Sequence, residues 1–237
     1  MKNSGINSGI SIIIPVLNEE AIITHCLEHL MANRSSTDHV KEIILSDGGS
    51  TDQTLVRAKR HPSVKVISSR KGRPFQLNAG ARQASGEILY FLHADSFPPK
   101  NYDQHIRDAV KKGHKAGCFR MKFNTEHPWF RFISWLTIFN HKACRGGDQS
   151  QFITRDLFQQ IGGYDTDYLI YEDNMLIAEL YDRNEFKVLP FWLVSSARRF
   201  KKKGTLRLQL LFWLIYLKKF LGEPPEKLYS FYKKYID

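Results

Sequence analysis

Cysteine is scarce in this chain: only Cys26, Cys118 and Cys144 occur among 237 residues. They are odd in number and far apart with no C-x-x-C pair, which leaves no pattern for structural zinc or a redox pair and implies free thiols in a reducing compartment. Long apolar runs are missing too. No stretch reaches the roughly 20 apolar residues that cross a bilayer. The run from Ile10 to Val16 is interrupted by Pro15 and followed by acids, the pattern of a buried strand and not of a signal peptide. Acidic residues are absent between Arg198 and Lys219, where eight basic ones lie. The formal charge of +11 is therefore concentrated near the C-terminus and draws the chain to anions, without choosing among nucleic acid, anionic lipid and phosphorylated small molecules. Low hydrophobicity is also lacking. A 42% hydrophobic and 13% aromatic content excludes a disordered body, and the length suits one α/β domain with an appendage.

What is present in the first half is an alternation of short apolar runs with helical patterns, the signature of βαβ units feeding a mostly parallel sheet. Strands are expected at Ile10–Val16, Glu42–Ser46, Val64–Ile67 and Ile88–Leu92. Asn18 is expected to cap a helix carrying Ile22, Cys26, Leu27 and Leu30, with Glu19 and Glu20 at its positive end. Asp52 is expected to open a helix ending near His61, and Phe75–Ala84 reads as another, stopped by Gly86. Beyond Asp95 the pattern predicts a helix at Tyr102–Lys112, a strand at Cys118–Phe123 and helical sequence from Trp129 to Phe139. Ligands of open α/β sheets bind at the carboxyl ends of the strands, so Asn18, Asp47 and Asp95 should converge.

Three clusters carry candidate chemistry, and each has a structural alternative. Asp47-Gly48-Gly49-Ser50-Thr51-Asp52 follows a strand, and its turn can offer backbone N–H groups to an anion, as any strand-to-helix turn of this composition can. In His93-Ala94-Asp95 an imidazole and a carboxylate could hold a divalent cation on a diphosphate; otherwise His93 is a satisfied buried histidine and Asp95 a turn residue. Glu172-Asp173 opens a helix, either complementing its dipole or supplying a general base.

The ordered set decides between these readings. It runs Ser11-Ile-Ile-Ile-Pro-Val-Leu-Asn-Glu19, Glu42-Ile-Ile-Leu-Ser-Asp-Gly-Gly-Ser-Thr-Asp52, Asn78-Ala-Gly-Ala-Arg-Gln-Ala-Ser-Gly-Glu87, Leu92-His-Ala-Asp95 and Tyr171-Glu-Asp173. From about Ile10 to Arg199 this resembles the family 2 glycosyltransferases of the GT-A fold, and the tail looks like that of a bacterial subgroup whose acceptors are poorly defined. The resemblance implies a Rossmann-like, mostly parallel sheet flanked by helices over residues 1–200, with a nucleotide-binding half at about 10–100, an acceptor half at about 101–200, and a helical tail at 201–237.

It implies also a nucleoside-diphosphate sugar, UDP- or GDP-linked, as donor, an unidentified acceptor and Mn²⁺ or Mg²⁺ as cofactor. Pro15, Asn18 and Glu19 would line the nucleotide pocket and Asp47 would bond the base, with Ser50 and Asp52 in the same turn. Arg73 and Asn78 fall where the family contacts donor phosphate or ribose, and Ala94, inside the metal motif, would join them in binding the nucleotide. Asp95 matches the metal-binding acid of D-x-D, and Asp173 the base of the inverting members, with Glu172 beside it. His93 departs from the pattern by standing where the first Asp of D-x-D is commonly found; the softer imidazole favours Mn²⁺. Gly147, Asp148 and Gln149, in a polar turn before a strand and helix, are candidate acceptor contacts or a purely structural turn. Arg198 and Arg199 could reach the diphosphate or form a solvated basic patch.

In the tail, an apolar stretch from Leu206 to Leu217 lies between Lys201–Lys203 and Lys218–Lys219. Basic flanks around Trp and Tyr suit a helix in the membrane interface; the alternative is a helix packed on the domain with its lysines in water. The expectation is a cytoplasmic enzyme with peripheral contact to the inner face of the cell membrane. A nucleotidyltransferase would carry a Gly-rich basic loop after the first strand, where Pro15-Val-Leu-Asn-Glu19 stands instead. A nucleic-acid binder leaves the carboxylate clusters unexplained, since they repel phosphate without a cation between. A degenerate, non-catalytic nucleotide- or lipid-binding module is the remaining alternative.

Overall fold

The computed structural model describes residues 9–146 and 149–236. Its first half runs β1 (Ile10–Val16), α1 (Ile23–Asn33), β2 (Val40–Asp47), α2 (Thr54–Ala58), β3 (Val64–Ser68), α3 (Arg73–Gln83), β4 (Ile88–Phe91). Next come β5 (Ser96–Phe97), α4 (Tyr102–Lys111), β6 (Ala116–Phe123), α5 (Pro128–Leu136), β7 (Gln151–Thr154), α6 (Arg155–Ile161), α7 (Glu172–Asp182) and β8 (Phe186–Ser195). The tail is α8 (Arg198–Lys203), α9 (Thr205–Phe220) and α10 (Pro225–Tyr235).

Among the described residues eight strands form one sheet in the order β3-β2-β1-β4-β7-β6-β8-β5. The first four are parallel, and β7 then enters antiparallel to both β4 and β6. The parallel strands read as near-continuous apolar runs because helices cover both faces. Alternate side chains of β1 feed opposite layers: Ile12 and Ile14 pack with Leu27, Leu30 and Tyr90, whereas Ile13 packs with Leu77, Leu89 and Phe158. Register pairs Val16 with Asp47 and Asp47 with Ser68, so these strands finish along one edge of the sheet. Gln76 on α3 ties that edge by donating from Nε2 to the carbonyls of both Val16 and Ser46 at 2.8 Å.

Local corrections have simple causes. Asn18 does not cap α1, which begins only at Ile23; its backbone is left-handed (φ 56°), and its Oδ1 accepts from the Thr51 N–H at 2.8 Å. Glu19 and Glu20 consequently lie outside the first helical turn. Asp52 does fasten the start of α2, accepting from Thr54 N at 2.9 Å, but that helix ends at Ala58, short of His61. The tail helix packs on the domain and stays apolar outside: Leu208 and Ile215 are buried in the main core while Trp213 and Phe220 face solvent. No helix among the described residues is long and apolar enough to cross a membrane.

Candidate active site

The turn after β2 is built differently from an open anion cradle. The Asp47 carboxylate accepts from Gly49 N and Ser50 N, both at 3.0 Å, and the Thr51, Gln53 and Thr54 amides go to Asn18, Glu20 and Asp52. Return bonds run from Asn18 N to Ser50 Oγ at 3.0 Å, Glu19 N to Thr54 Oγ1 at 2.8 Å and Glu20 N to Asp52 Oδ2 at 3.1 Å. At Asp52 desolvation is outweighed by the bonds from Thr54 and Glu20, which hold its carboxyl below its usual value. The loops after β1 and β2 thus form one laced ledge bearing Asn18, Glu19 and Asp47, with its amides occupied internally. Arg198 reaches the ledge, its Nη2 lying 3.1 Å from Glu19 Oε2. Arg199 turns instead into the tail, over the rings of Phe212 and Tyr232.

A second cluster gathers at the end of β4. Gly72 (φ 127°) swings the chain into α3, whose first residue is Arg73. Arg73 Nη2 donates to Asp173 Oδ2 and to His93 Nε2, both at 2.7 Å, and its Nε lies 3.1 Å from Glu172 Oε1. Arginine has only donors, so His93 Nε2 accepts, and the ring in this contact is neutral with its proton on Nδ1. Glu172 is 1% exposed. Burial raises its pKa from 4.5 to about 7, Arg73 opposing and Asp173 adding to the rise. Tyr171, left-handed at φ 70°, sets the angle at which α7 presents both acids.

Asp95 follows in the turn between β4 and β5 and is anchored by its backbone, the carbonyl accepting from Ser196 N at 3.1 Å. Ala94 is buried beneath it. Among the described residues no three His, Cys, Asp or Glu side chains converge on one point. His93 Nε2 is engaged by Arg73, so a cation at Asp95 would have to take its remaining ligands from donor oxygens, as Mg²⁺ on a diphosphate usually does.

Pro15, Arg73, His93, Gln149 and Asp173 line a narrow cavity. Gln149 is fixed there by Arg145, whose Nη1 donates to Oε1 at 2.9 Å. Gly147 and Asp148 lie outside the described residues. Asn78 spends its amide on the backbone of Tyr164, donating at 2.8 Å and accepting at 2.9 Å, which staples α3 to the segment before α7. Sequence reasoning missed Gln151 and Tyr164, which also line the cavity and whose buried amide and hydroxyl have no protein partner among the described residues. The only available signal for Gln151 was a polar residue opening a strand beside Phe91. Unpartnered buried polar groups mark where a polar guest would be held.

Comparison with known proteins agrees with this architecture. Residues 11–169 match the description Glycosyl transferase family 2. An undecaprenyl-phosphate 4-deoxy-4-formamido-L-arabinose transferase from Serratia proteamaculans is 31% identical over 198 residues, covering 80% of this chain and 57% of the relative. The chain spans about half the length of the curated relatives it matches. A mannosyltransferase from Pyrobaculum calidifontis, solved with GDP-Man and Mn²⁺, superposes with a TM-score of 0.65 at 18% identity, covering 87% of this chain and 61% of that one. TarS from S. aureus, solved with UDP-GlcNAc, gives 0.63 at 19% identity, with 79% and 58% covered. At such identities these two structures speak for the fold, which is GT-A. With the family match extending over most of the chain, the protein belongs to glycosyl transferase family 2.

Proposed function

We propose that the chain transfers a sugar from a nucleoside-diphosphate donor to an acceptor oxygen, with inversion. The observation that carries this is the Arg73 guanidinium shared by Asp173 and His93 at the strand ends, a charge arrangement ready for a diphosphate. The laced ledge of Asn18, Glu19 and Asp47 takes the nucleoside. Asp95, together with the donor's own oxygens, would hold a divalent cation, Mn²⁺ or Mg²⁺, which when bound neutralises charge on the leaving diphosphate.

Paired with Arg73, Asp173 Oδ2 is engaged and not offered to an acceptor. A diphosphate offers the guanidinium a doubly bonded alternative and so competes for it. Released, Asp173 Oδ2 takes the proton of the acceptor as the acceptor oxygen bonds to the anomeric carbon and the bond to the diphosphate breaks. Arg198 closes the nucleotide side through Glu19. Relatives solved with UDP-GlcNAc and GDP-Man support UDP or GDP as carrier, and the Serratia relative's name supports a lipid phosphate as the first acceptor class to try.

The test is thermal stabilisation by a panel of nucleoside diphosphates with and without Mn²⁺, since a ligand that binds only the folded state raises its stability. A metal-dependent shift with one diphosphate is expected. No shift with any of them removes the reading.

A further inference from the structure

The outer face of α9 is a stripe of Leu206, Leu210, Trp213, Leu217 and Phe220, all exposed, Phe220 at 86%. These positions recur every three or four residues, opposite the buried Leu208 and Ile215. The helix is therefore apolar on two sides, and only one is covered by the domain.

The stripe does not end at the tail. Trp213 meets Trp129 edge-on, with centroids 5.8 Å apart, and from Trp129 a ladder of rings continues along α5. It passes to Phe132 at 6.0 Å, Trp135 at 6.1 Å and, just past the helix, Phe139 at 4.8 Å. Trp135 is 51% exposed and Trp213 48%. Two helices far apart in sequence, one of them inside the catalytic domain, thus share one exposed aromatic face of the kind that marks an interaction site.

The charges beside this face are mostly basic. Arg131 is exposed next to Phe132, Lys201 and Lys202 are exposed at the end of α8, and Arg207 flanks the α9 stripe, while Glu126 shares a groove with Arg131 and Trp135 and Glu223 is paired with Lys218 at 3.2 Å. A second copy placed on this face would bring like charges together. An anionic surface with an apolar interior complements both features, and Trp among basic side chains is at home there.

We propose that α5 and α9 together form a docking face for an anionic lipid bilayer. The face adjoins the site: Tyr216 on α9 packs edge-on against Tyr171, with centroids 5.1 Å apart, immediately before Glu172 and Asp173. Resting on the transferase reading, this adjacency means that the acceptor is drawn from the lipid interface. The docking itself needs no donor, so it stands or falls separately from that reading.

The experiment is co-sedimentation of the full chain at low salt with vesicles of phosphatidylcholine alone and of phosphatidylcholine mixed with phosphatidylglycerol, following tryptophan emission in parallel. Wild type is expected to sediment with the mixed vesicles only, its emission shifting to the blue. The pairs F132S/W135S on α5, W213S/L217S on α9 and K201E/K202E on α8 should each retain the wild-type melting temperature and weaken binding about tenfold or more. Wild type left in the supernatant overturns the proposal. So does an α5 pair that binds as wild type does, or a dimer in solution that the α5 and α9 pairs split while no vesicle binding is seen.

Discussion

Arg73 and Asp173 meet at 2.7 Å although 100 residues separate them in the chain, joining the first residue of α3 to the first turn of α7. The same nitrogen also reaches His93, and Nε faces the buried Glu172. One guanidinium therefore holds two neighbouring acids and an imidazole at once.

Removing it should cost stability as well as ligand binding. For Arg73→Ala we expect a loss of roughly 1–2 kcal/mol in urea denaturation near neutral pH, discounted from the cost of breaking a buried pair because Arg73 is partly open to solvent. Arg73→Lys should recover only part of it, since an ammonium cannot serve Glu172 and Asp173 with a rigid fork. A fully stable Arg73→Ala protein would contradict the pairing.

Glu172 predicts a pH dependence of definite sign. Its folded pKa is raised from 4.5 to about 7, so the folded chain holds a proton that the unfolded chain releases. The stability this provides is complete below pH 4.5 and is lost as pH rises to about 7. Between those limits wild type should lose on the order of 2 kcal/mol that Glu172→Gln does not lose. Parallel denaturation curves across the window compare the two, and equal slopes would exclude Glu172 as the titrating group.

Asp173→Asn should lower turnover by about 10²-fold or more while nucleotide binding stays within a few-fold of wild type. Activity assays beside calorimetry separate the two effects, and wild-type turnover would remove Asp173 as the base.

Asp95→Ala should abolish the metal-dependent part of the thermal shift produced by the favoured nucleoside diphosphate and leave the melting temperature of the free protein nearly unchanged. A shift that still depends on Mn²⁺ would move the cation to other ligands.

Much of this was legible from the chain. The four parallel strands declared themselves because each is a short apolar run closed by polar residues, and the strand-end rule placed Asp47 and Asp95 on one edge. Side-chain partnerships were less visible. Asn18 has the residue type of a helix cap, yet a left-handed backbone turns its amide to Thr51; Asn78 lies in a donor-site motif, yet its amide is engaged by Tyr164. Arg73 could be associated with phosphate by motif, but its pairing with Glu172 and Asp173 depends on how α7 returns over the sheet, which no local pattern encodes. β5 was unreadable because two residues carry no periodicity.

Close packing yields a further prediction. A Cβ at Gly80 would lie 2.4 Å from Ile13 Cγ2, so α3 can approach β1 only without one. Gly80→Ala should destabilise by about 1–3 kcal/mol and, by lifting α3 and with it Arg73, weaken nucleotide binding. Thermal melting and calorimetry would show both; a neutral substitution would mean the helix has slack.

The place of β7 between β4 and β6 has a consequence for how the protein is made. While the ribosome is still adding the acceptor half, β4 is already exposed with one side unpaired, an apolar edge of Ile88, Leu89, Tyr90 and Phe91 open to any passing strand. Only the arrival of Gln151–Thr154, running the opposite way, seals it. The two halves share a seam: a polypeptide stopped near residue 100 would be prone to clump, and translation past residue 154 covers β4 but leaves the edge of β6 open until Phe186–Ser195 arrives.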